Sequence, residues 1–126
     1  MGERSGFKFL DLDDPDDELV AYSLDEGEVA DDELKPLWQR FDEATSAGTK
    51  LRVYAEMNAL PTFGPGMAVD KLKRFETLMS TIERMAIVGD ESWLPVYART
   101  IDSVSEASIR HFPTADKDAA RAWIRR

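Results

Sequence analysis

The stretch LRVYAE (51–56), followed by MNALPTFGPG (57–66), an amphipathic run and RMAIVGDESW (84–93), decides the fold of this chain. Two short apolar runs end at a carboxylate, Glu56 in one case and Asp90 in the other, and each leads toward a helix. Strands that alternate with helices in this way are typical of a parallel sheet covered by helices. The order predicts an α/β fold, and no catalytic signature accompanies it.

The strands outside this stretch make the predicted sheet mixed. The segments FKFLDL and LVAYSL are separated by a short acidic turn, which favours an antiparallel pair because parallel strands need a long crossover. We therefore expect a mixed five-stranded sheet whose first strand is antiparallel to the rest. The predicted strands are Phe7–Leu12, Leu19–Leu24, Lys50–Glu56, Arg84–Gly89 and Ser108–Phe112.

Four helices follow from apolar residues at spacings of three and four. We expect Asp31 or Asp32 to cap the first helix, Gly48 to end it, Asp90 to cap the third and Thr114 the last. The apolar stripes are Leu34, Leu37, Trp38, Phe41 and Ala44; Val69, Leu72, Phe75, Met79 and Ile82; Trp93, Val96, Tyr97, Ile101 and Val104; and Ala119, Ala120, Trp123 and Ile124. The predicted order is ββαβαβαβα in a single domain, 1–126, with residues 1–6 disordered.

Composition excludes several classes of function. The chain has no cysteine and one histidine, His111, so we expect no zinc or copper site and no other metal site or cofactor. The aspartates of residues 11–17 do not follow the spacing of an EF-hand calcium loop. No apolar run approaches the length of a membrane span, and the N-terminus lacks an apolar leader segment. We expect a cytoplasmic protein.

The net charge of −9 is unevenly distributed. Residues 1–43 hold 15 acidic and 4 basic residues, a charge of −11, whereas residues 44–126 hold 10 acidic and 12 basic residues, a charge of +2. Nucleic-acid binding depends on cationic contacts with phosphate, so we expect no nucleic-acid partner.

Two groups of residues are candidates for a site. Glu56 and Asp90 follow the ends of two strands that could be neighbours, where open α/β sheets bind ligands, and paired carboxylates can share acid and base roles. The alternative is a salt bridge for Glu56 and helix capping for Asp90. The second group is apolar and could line a pocket for a small hydrophobic ligand or could be ordinary core. It consists of Met57, Leu60, Phe63, Met67, Trp93 and Tyr97.

From about Phe7 to Ile124 the chain resembles the SpoIIAA-like family, within the STAS-type fold group (sulphate transporter and anti-sigma factor antagonist). The resemblance rests on LRVYAEM, the Phe-Gly loop, ERMAIVGDESW (83–93) and the closing IRHFP and AARAWI. It implies a small mixed α/β domain without catalytic activity. Anti-sigma antagonists carry a phosphorylatable Ser where this chain has TFGPG (62–66), which contains no Ser and an offset Thr62. The resemblance further implies a small apolar or lipid-like ligand and helices that open beside the loop 59–67.

Three functional hypotheses follow. The first is a non-enzymatic binding module for a small hydrophobic or lipid-like ligand, with transient peripheral membrane contact. The second is a regulatory protein-interaction domain of the anti-sigma-antagonist type that lacks the phosphorylatable Ser and binds its partner through the acidic half. The third is an enzyme that uses Glu56 and Asp90. A homodimer is also expected, since small domains with an exposed apolar face often pair.

Overall fold

A five-stranded mixed sheet forms the centre of the molecule. The structure, a computed structural model, describes residues 6–10, 18–29, 31–59, 62–63 and 80–126. The five strands are β1 (Phe7–Phe9), β2 (Leu19–Leu24), β4 (Leu51–Met57), β6 (Ile82–Val88) and β7 (Ser108–Phe112). They lie in the order β1-β2-β4-β6-β7 across the sheet.

The first strand alone runs against the others. Phe7 pairs with Leu24 in antiparallel register, whereas β2, β4, β6 and β7 are mutually parallel. This confirms the predicted mixed sheet. The strand predicted at Arg84 begins earlier, because Ile82 already pairs with Leu51, so Ile82 belongs to a strand and not to the stripe of the second predicted helix. Strand β1 ends at Phe9, short of the predicted Leu12.

A second, two-stranded sheet was not predicted. Strand β3 (Glu28–Val29) pairs in parallel with β5 (Thr62–Phe63). Strands of two residues owe their existence to a partner that is distant in sequence, and the local pattern carries little signal for them. This pairing places the start of the Phe-Gly loop beside the turn that follows β2.

Three α-helices are found in the described residues: α1 (Lys35–Ala47), α2 (Leu94–Val104) and α3 (Lys117–Ile124). The second predicted helix, whose apolar stripe begins at Val69, lies largely outside the described residues, and only Ser80 and Thr81 of it are seen, in helical conformation. Residues 1–5 of the predicted disordered segment are likewise outside. Gly6 is buried, and its carbonyl accepts a hydrogen bond from the amide of Asp25 at 2.9 Å.

The predicted C-terminal end of α1 is confirmed, whereas the predicted N-terminal caps of the helices are not. Helix α1 ends at Gly48 in the left-handed conformation, with φ of 72°, as predicted. Its N-cap position is Leu34, because a 3-10 turn over Asp31–Leu34 precedes it, and not Asp31 or Asp32 as predicted. Helix α2 begins after Trp93, and α3 begins after a 3-10 turn over Thr114–Asp116. Neither helix has a side-chain cap at its N-terminus. The capping roles predicted for Asp90 and Thr114 are therefore wrong.

The two faces of the sheet are covered unequally. Helices α1 and α2 pack on one face and form the larger core, to which Val53, Ala55 and Ile87 contribute. On the other face α3 packs on Tyr54 and its neighbours with Trp123 and Ile124. Successive buried residues of β4, such as Val53, Tyr54 and Ala55, thus face opposite cores, as expected for a central strand covered on both sides.

Candidate functional site

An aromatic pair at the start of α2 leads from the core to the surface. The rings of Trp93 and Tyr97 meet edge to face, with centroids 5.6 Å apart. The indole of Trp93 packs against the larger core, whereas 38% of Tyr97 is exposed. The spacing of four residues stacks the two rings along one side of the helix. The sequence analysis named both residues, and the structure brings them together.

The apolar surface continues along α2 beyond this pair. Val96 is 61% exposed and Val104 is 73% exposed, although both belong to the stripe that was predicted to face the core. The buried residues of the helix are instead Leu94, Ala98 and Ile101. The helix is therefore rotated relative to the prediction, and much of its apolar stripe faces outward.

A second aromatic group lies on the same face of the sheet, and the sequence analysis missed it. Phe7 contacts Phe9 with ring centroids 5.0 Å apart and contacts Tyr22 at 5.5 Å. Tyr22 also packs against the larger core, the one that Trp93 contacts. Phe9 is 42% exposed. The alternation of FKF and LVAYSL puts these residues on one side of their strands, and this signal could have identified them.

The other predicted apolar residues lie where β4 ends or beyond it. Met57 is buried in the larger core, so its side chain fills the interior. Phe63 lies in β5, paired with Val29. Leu60 and Met67 are outside the described residues. The structure thus joins Trp93 and Tyr97 directly and leaves the remainder of the predicted pocket a prediction.

The carboxyl edge of the sheet is held together by the residues that follow β6. An atom at the β-carbon position of Gly89 would lie 2.5 Å from the carbonyl oxygen of Met57, so β4 and the end of β6 approach closely there. His111 Nε2 lies 2.8 Å from the carbonyl oxygen of Gly89, and the Asp90 carboxylate accepts a hydrogen bond from the backbone N–H of Thr114 at 2.9 Å. The motif IVGD therefore has a structural role.

The two predicted carboxylates have separate partners. Glu56 faces the α3 side of the sheet, where its Oε2 accepts a hydrogen bond from the hydroxyl of Tyr54 at 2.9 Å. Asp90 is exposed and bound to Thr114. Within the described residues no group of three or more metal-ligating side chains occurs. Glu56 and Asp90 therefore do not share a hydrogen bond or a common partner in the contacts described above.

Tyrosine hydroxyls are the groups whose protonation is most altered. Burial, reinforced by the hydrogen bond to Glu56 and opposed by Arg121, raises the pKa of Tyr54 to about 12. Burial also raises the pKa of Tyr22, with a smaller contribution from Tyr97, and raises that of Tyr97 itself. All three phenols are neutral hydrogen-bond donors at neutral pH.

No described helix combines the length and the apolar composition that crossing a bilayer requires. The exposed part of the α2 stripe, Val96 and Val104, lies on a helix of 11 residues. Such a surface binds apolar groups through burial, since each 100 Å² removed from water contributes roughly 2.5 kcal/mol.

Comparison with known proteins identifies the family. A solved structure from Shewanella loihica PV-4, described as an uncharacterized protein from the DUF3478 family with a SpoIIAA-like fold, superposes with a TM-score of 0.70 over 98% of each chain at 19% sequence identity. No curated protein matches the sequence. The SpoIIAA-like family profile matches residues 20–125, which span both cores and the α2 surface. The chain therefore belongs to the SpoIIAA-like family.

Proposed function

We propose that this chain is a non-enzymatic binding module of the STAS type that holds a small hydrophobic or lipid-like ligand and touches a membrane transiently. The aromatic pair of Trp93 and Tyr97 carries this proposal, because it connects the larger core to an exposed apolar helix face. Covering such a face with an acyl chain is favourable in proportion to the apolar area removed from water. Trp93 and Tyr97 supply part of this apolar area. Because their rings already pack against each other, ligand binding would cost little additional side-chain entropy.

Polar groups beside the aromatic pair suit the head of an amphiphilic ligand. Small-molecule sites are mainly apolar with a few placed polar groups. Tyr22 packs against the larger core on this side of the sheet, and burial raises the pKa values of Tyr22 and Tyr97 further above neutrality. Two neutral phenols can donate hydrogen bonds to the carboxylate of a fatty acid without carrying a charge into an apolar site.

Membrane contact follows from the same helix face. Val96 and Val104 present apolar side chains outward on a helix that also carries Arg99 at its surface. A short amphipathic helix of this kind binds reversibly at a bilayer interface. Contact of this helix with the bilayer would let a lipid-like ligand move between the membrane and the aromatic site.

Ligand binding is tested by native mass spectrometry of the gently purified protein and by thermal unfolding with long-chain fatty acids. We expect a bound mass and a stabilisation of about 2.7 kcal/mol at a hundredfold excess over Kd. Tyr97→Ala and Trp93→Leu should abolish both effects. Trp38→Leu is the matched control, since Trp38 is a partly buried indole that packs against the same core from α1.

Three results would contradict the proposal: an apo mass with no thermal shift, equal loss of binding in the Trp38 control, or a ligand-free dimer that protects Tyr97 from solvent. The last result would assign the α2 face to a second copy of the chain. Analytical ultracentrifugation over a range of protein concentrations distinguishes that case from ligand binding.

A regulatory protein-interaction domain is the second candidate function. Its support is the exposed acidic surface of the N-terminal half, where Glu26, Glu28 and Glu43 are open to solvent, together with membership of a STAS-type group. Charged interfaces of this kind weaken with salt. Recovery of one protein in pull-downs at low salt, and its loss at high salt, would favour this candidate over the lipid-binding module.

A further inference from the structure

Arginine side chains on the α3 face of the sheet lie over aromatic rings. Arg84 lies 5.9 Å from the centroid of the Trp123 ring, and Arg110 lies 5.4 Å from the same ring and 5.0 Å from that of Phe112. Arg121 lies over the ring of Tyr54 at 5.7 Å. Two guanidinium groups therefore stand beside a single indole, in a protein whose overall charge is −9.

Some of these arginines have a sufficient structural role. Arg84 donates a hydrogen bond to the carbonyl oxygen of Arg126 at 2.7 Å, and Arg52 donates one to that of Ile124 at 3.2 Å. Both bonds satisfy carbonyl groups at the C-terminal end of α3, where cationic side chains also complement the helix dipole. Helix stabilisation accounts for these two residues.

Arg110 is not explained in this way. It projects from β7, is exposed, and holds its guanidinium against the rings of Phe112 and Trp123. Among the described residues it has ring contacts and neither a hydrogen bond nor an ion pair. Stacking fixes the plane of the guanidinium and removes part of its rotamer freedom, while its N–H donors stay available. A group in this state is pre-organised to bind a planar anion such as a carboxylate.

We propose that the exposed Arg110 guanidinium, held against the rings of Phe112 and Trp123, anchors a docking surface for an Asp- or Glu-rich segment of a protein partner. Carboxylates match the fork of a guanidinium in two parallel hydrogen bonds. The −11 charge of residues 1–43 opposes larger polyanions, because duplex DNA carries about one charge per 1.7 Å of axis. A short acidic segment can bind at Arg110 alone, and it brings fewer negative charges near the acidic residues 1–43 than duplex DNA does.

This surface is separate from the proposed ligand site. Trp123 and Arg110 belong to the face covered by α3, whereas Trp93 and Tyr97 belong to the side of the sheet covered by α1 and α2. Failure of either proposal therefore leaves the other standing.

The test uses the full chain and a fluorescein-labelled peptide of alternating Glu and Gly, with a Gln-Gly peptide of equal length as the neutral probe. Fluorescence anisotropy at low salt should show binding of the Glu peptide alone. Arg110→Glu should weaken binding about tenfold, and Arg110→Lys about threefold, because a point charge lacks the planar fork. Arg99→Glu, the same charge change on the exposed side of α2, should change the affinity less than about twofold.

Several results would overturn the proposal. They are absence of Glu-peptide binding, equal effects of the Arg99 and Arg110 substitutions, or full retention by Arg110→Lys. Tighter binding of a DNA duplex or of vesicles containing phosphatidylserine would assign the face to a phosphate ligand instead. Circular dichroism checks the fold of each variant, and if Arg110→Glu does not fold, the Arg110→Lys comparison decides.

Discussion

Gly89 shows how one residue determines the approach of two strands. A β-carbon there would stand 2.5 Å from both the carbonyl oxygen of Met57 and Cδ1 of Leu94. Gly89→Ala should therefore destabilise the protein by about 2–3 kcal/mol, as overpacking of a rigid backbone contact does. Denaturant unfolding measures the loss.

Gly48→Ala is the control: nothing lies within 4 Å of its β-carbon position, so only the positive φ costs stability, about 1 kcal/mol. Equal losses in the two variants would contradict the steric argument.

Ser23 is a buried polar residue whose hydroxyl adds no stability. It is 3% exposed, and within the described part of the chain its Oγ has no hydrogen-bond partner. Replacing a buried unsatisfied hydroxyl with hydrogen removes a desolvation penalty, so Ser23→Ala should stabilise the protein by about 1 kcal/mol. Ser105→Ala is the contrasting variant, because Ser105 Oγ accepts a hydrogen bond from the backbone N–H of Ala107 at 2.9 Å. Its thermal midpoint should fall while that of Ser23→Ala rises; the opposite order would indicate a partner for Ser23 in solution.

At the scale of elements, a side chain joins α2 to the edge strand β7. Asp102 Oδ1 accepts a hydrogen bond from the backbone N–H of Ile109 at 3.0 Å, which occupies one of the polar groups at the sheet edge. Asp102→Ala should lower stability by about 1–2 kcal/mol, and Asp102→Asn should retain most of it because the amide oxygen still accepts. Hydrogen exchange of the Ile109 amide reports the bond directly. Equal protection in the wild type and the Ala variant would remove this role.

The elements were predictable where their signals are local. Strands β2 and β7 have the predicted bounds because polar turns limit their apolar runs. The predicted N-terminal caps were wrong because they depend on tertiary competition, as with Asp90, whose carboxylate binds Thr114 instead of α2. Of the site, the pairing of Trp93 with Tyr97 followed from their spacing. The association of Tyr22 with the same core did not, since it depends on the packing of elements that are distant in sequence.

At the scale of the whole molecule, buried phenols predict loss of stability in alkali. The pKa of Tyr54 rises from 10.0 to about 12 on folding, so between these values the unfolded chain has lost a proton that the native protein keeps. Stability is then fully present below pH 10 and falls as the pH rises toward 12, and Tyr22 and Tyr97 act in the same direction. Unfolding at stepped pH should show the decline, and Tyr54→Phe should make it shallower. Unchanged stability over this interval would contradict the burial of these rings.

The unequal covering of the sheet has a consequence for biosynthesis. Helix α3 follows the described strands in chain order, and among the described helices it alone contributes to the core that contains Tyr54, Ala86 and Val88. During synthesis the smaller core therefore stays exposed to water until the eight-residue helix α3 has emerged from the ribosome. A chain truncated just before Lys117 should expose this apolar surface and aggregate.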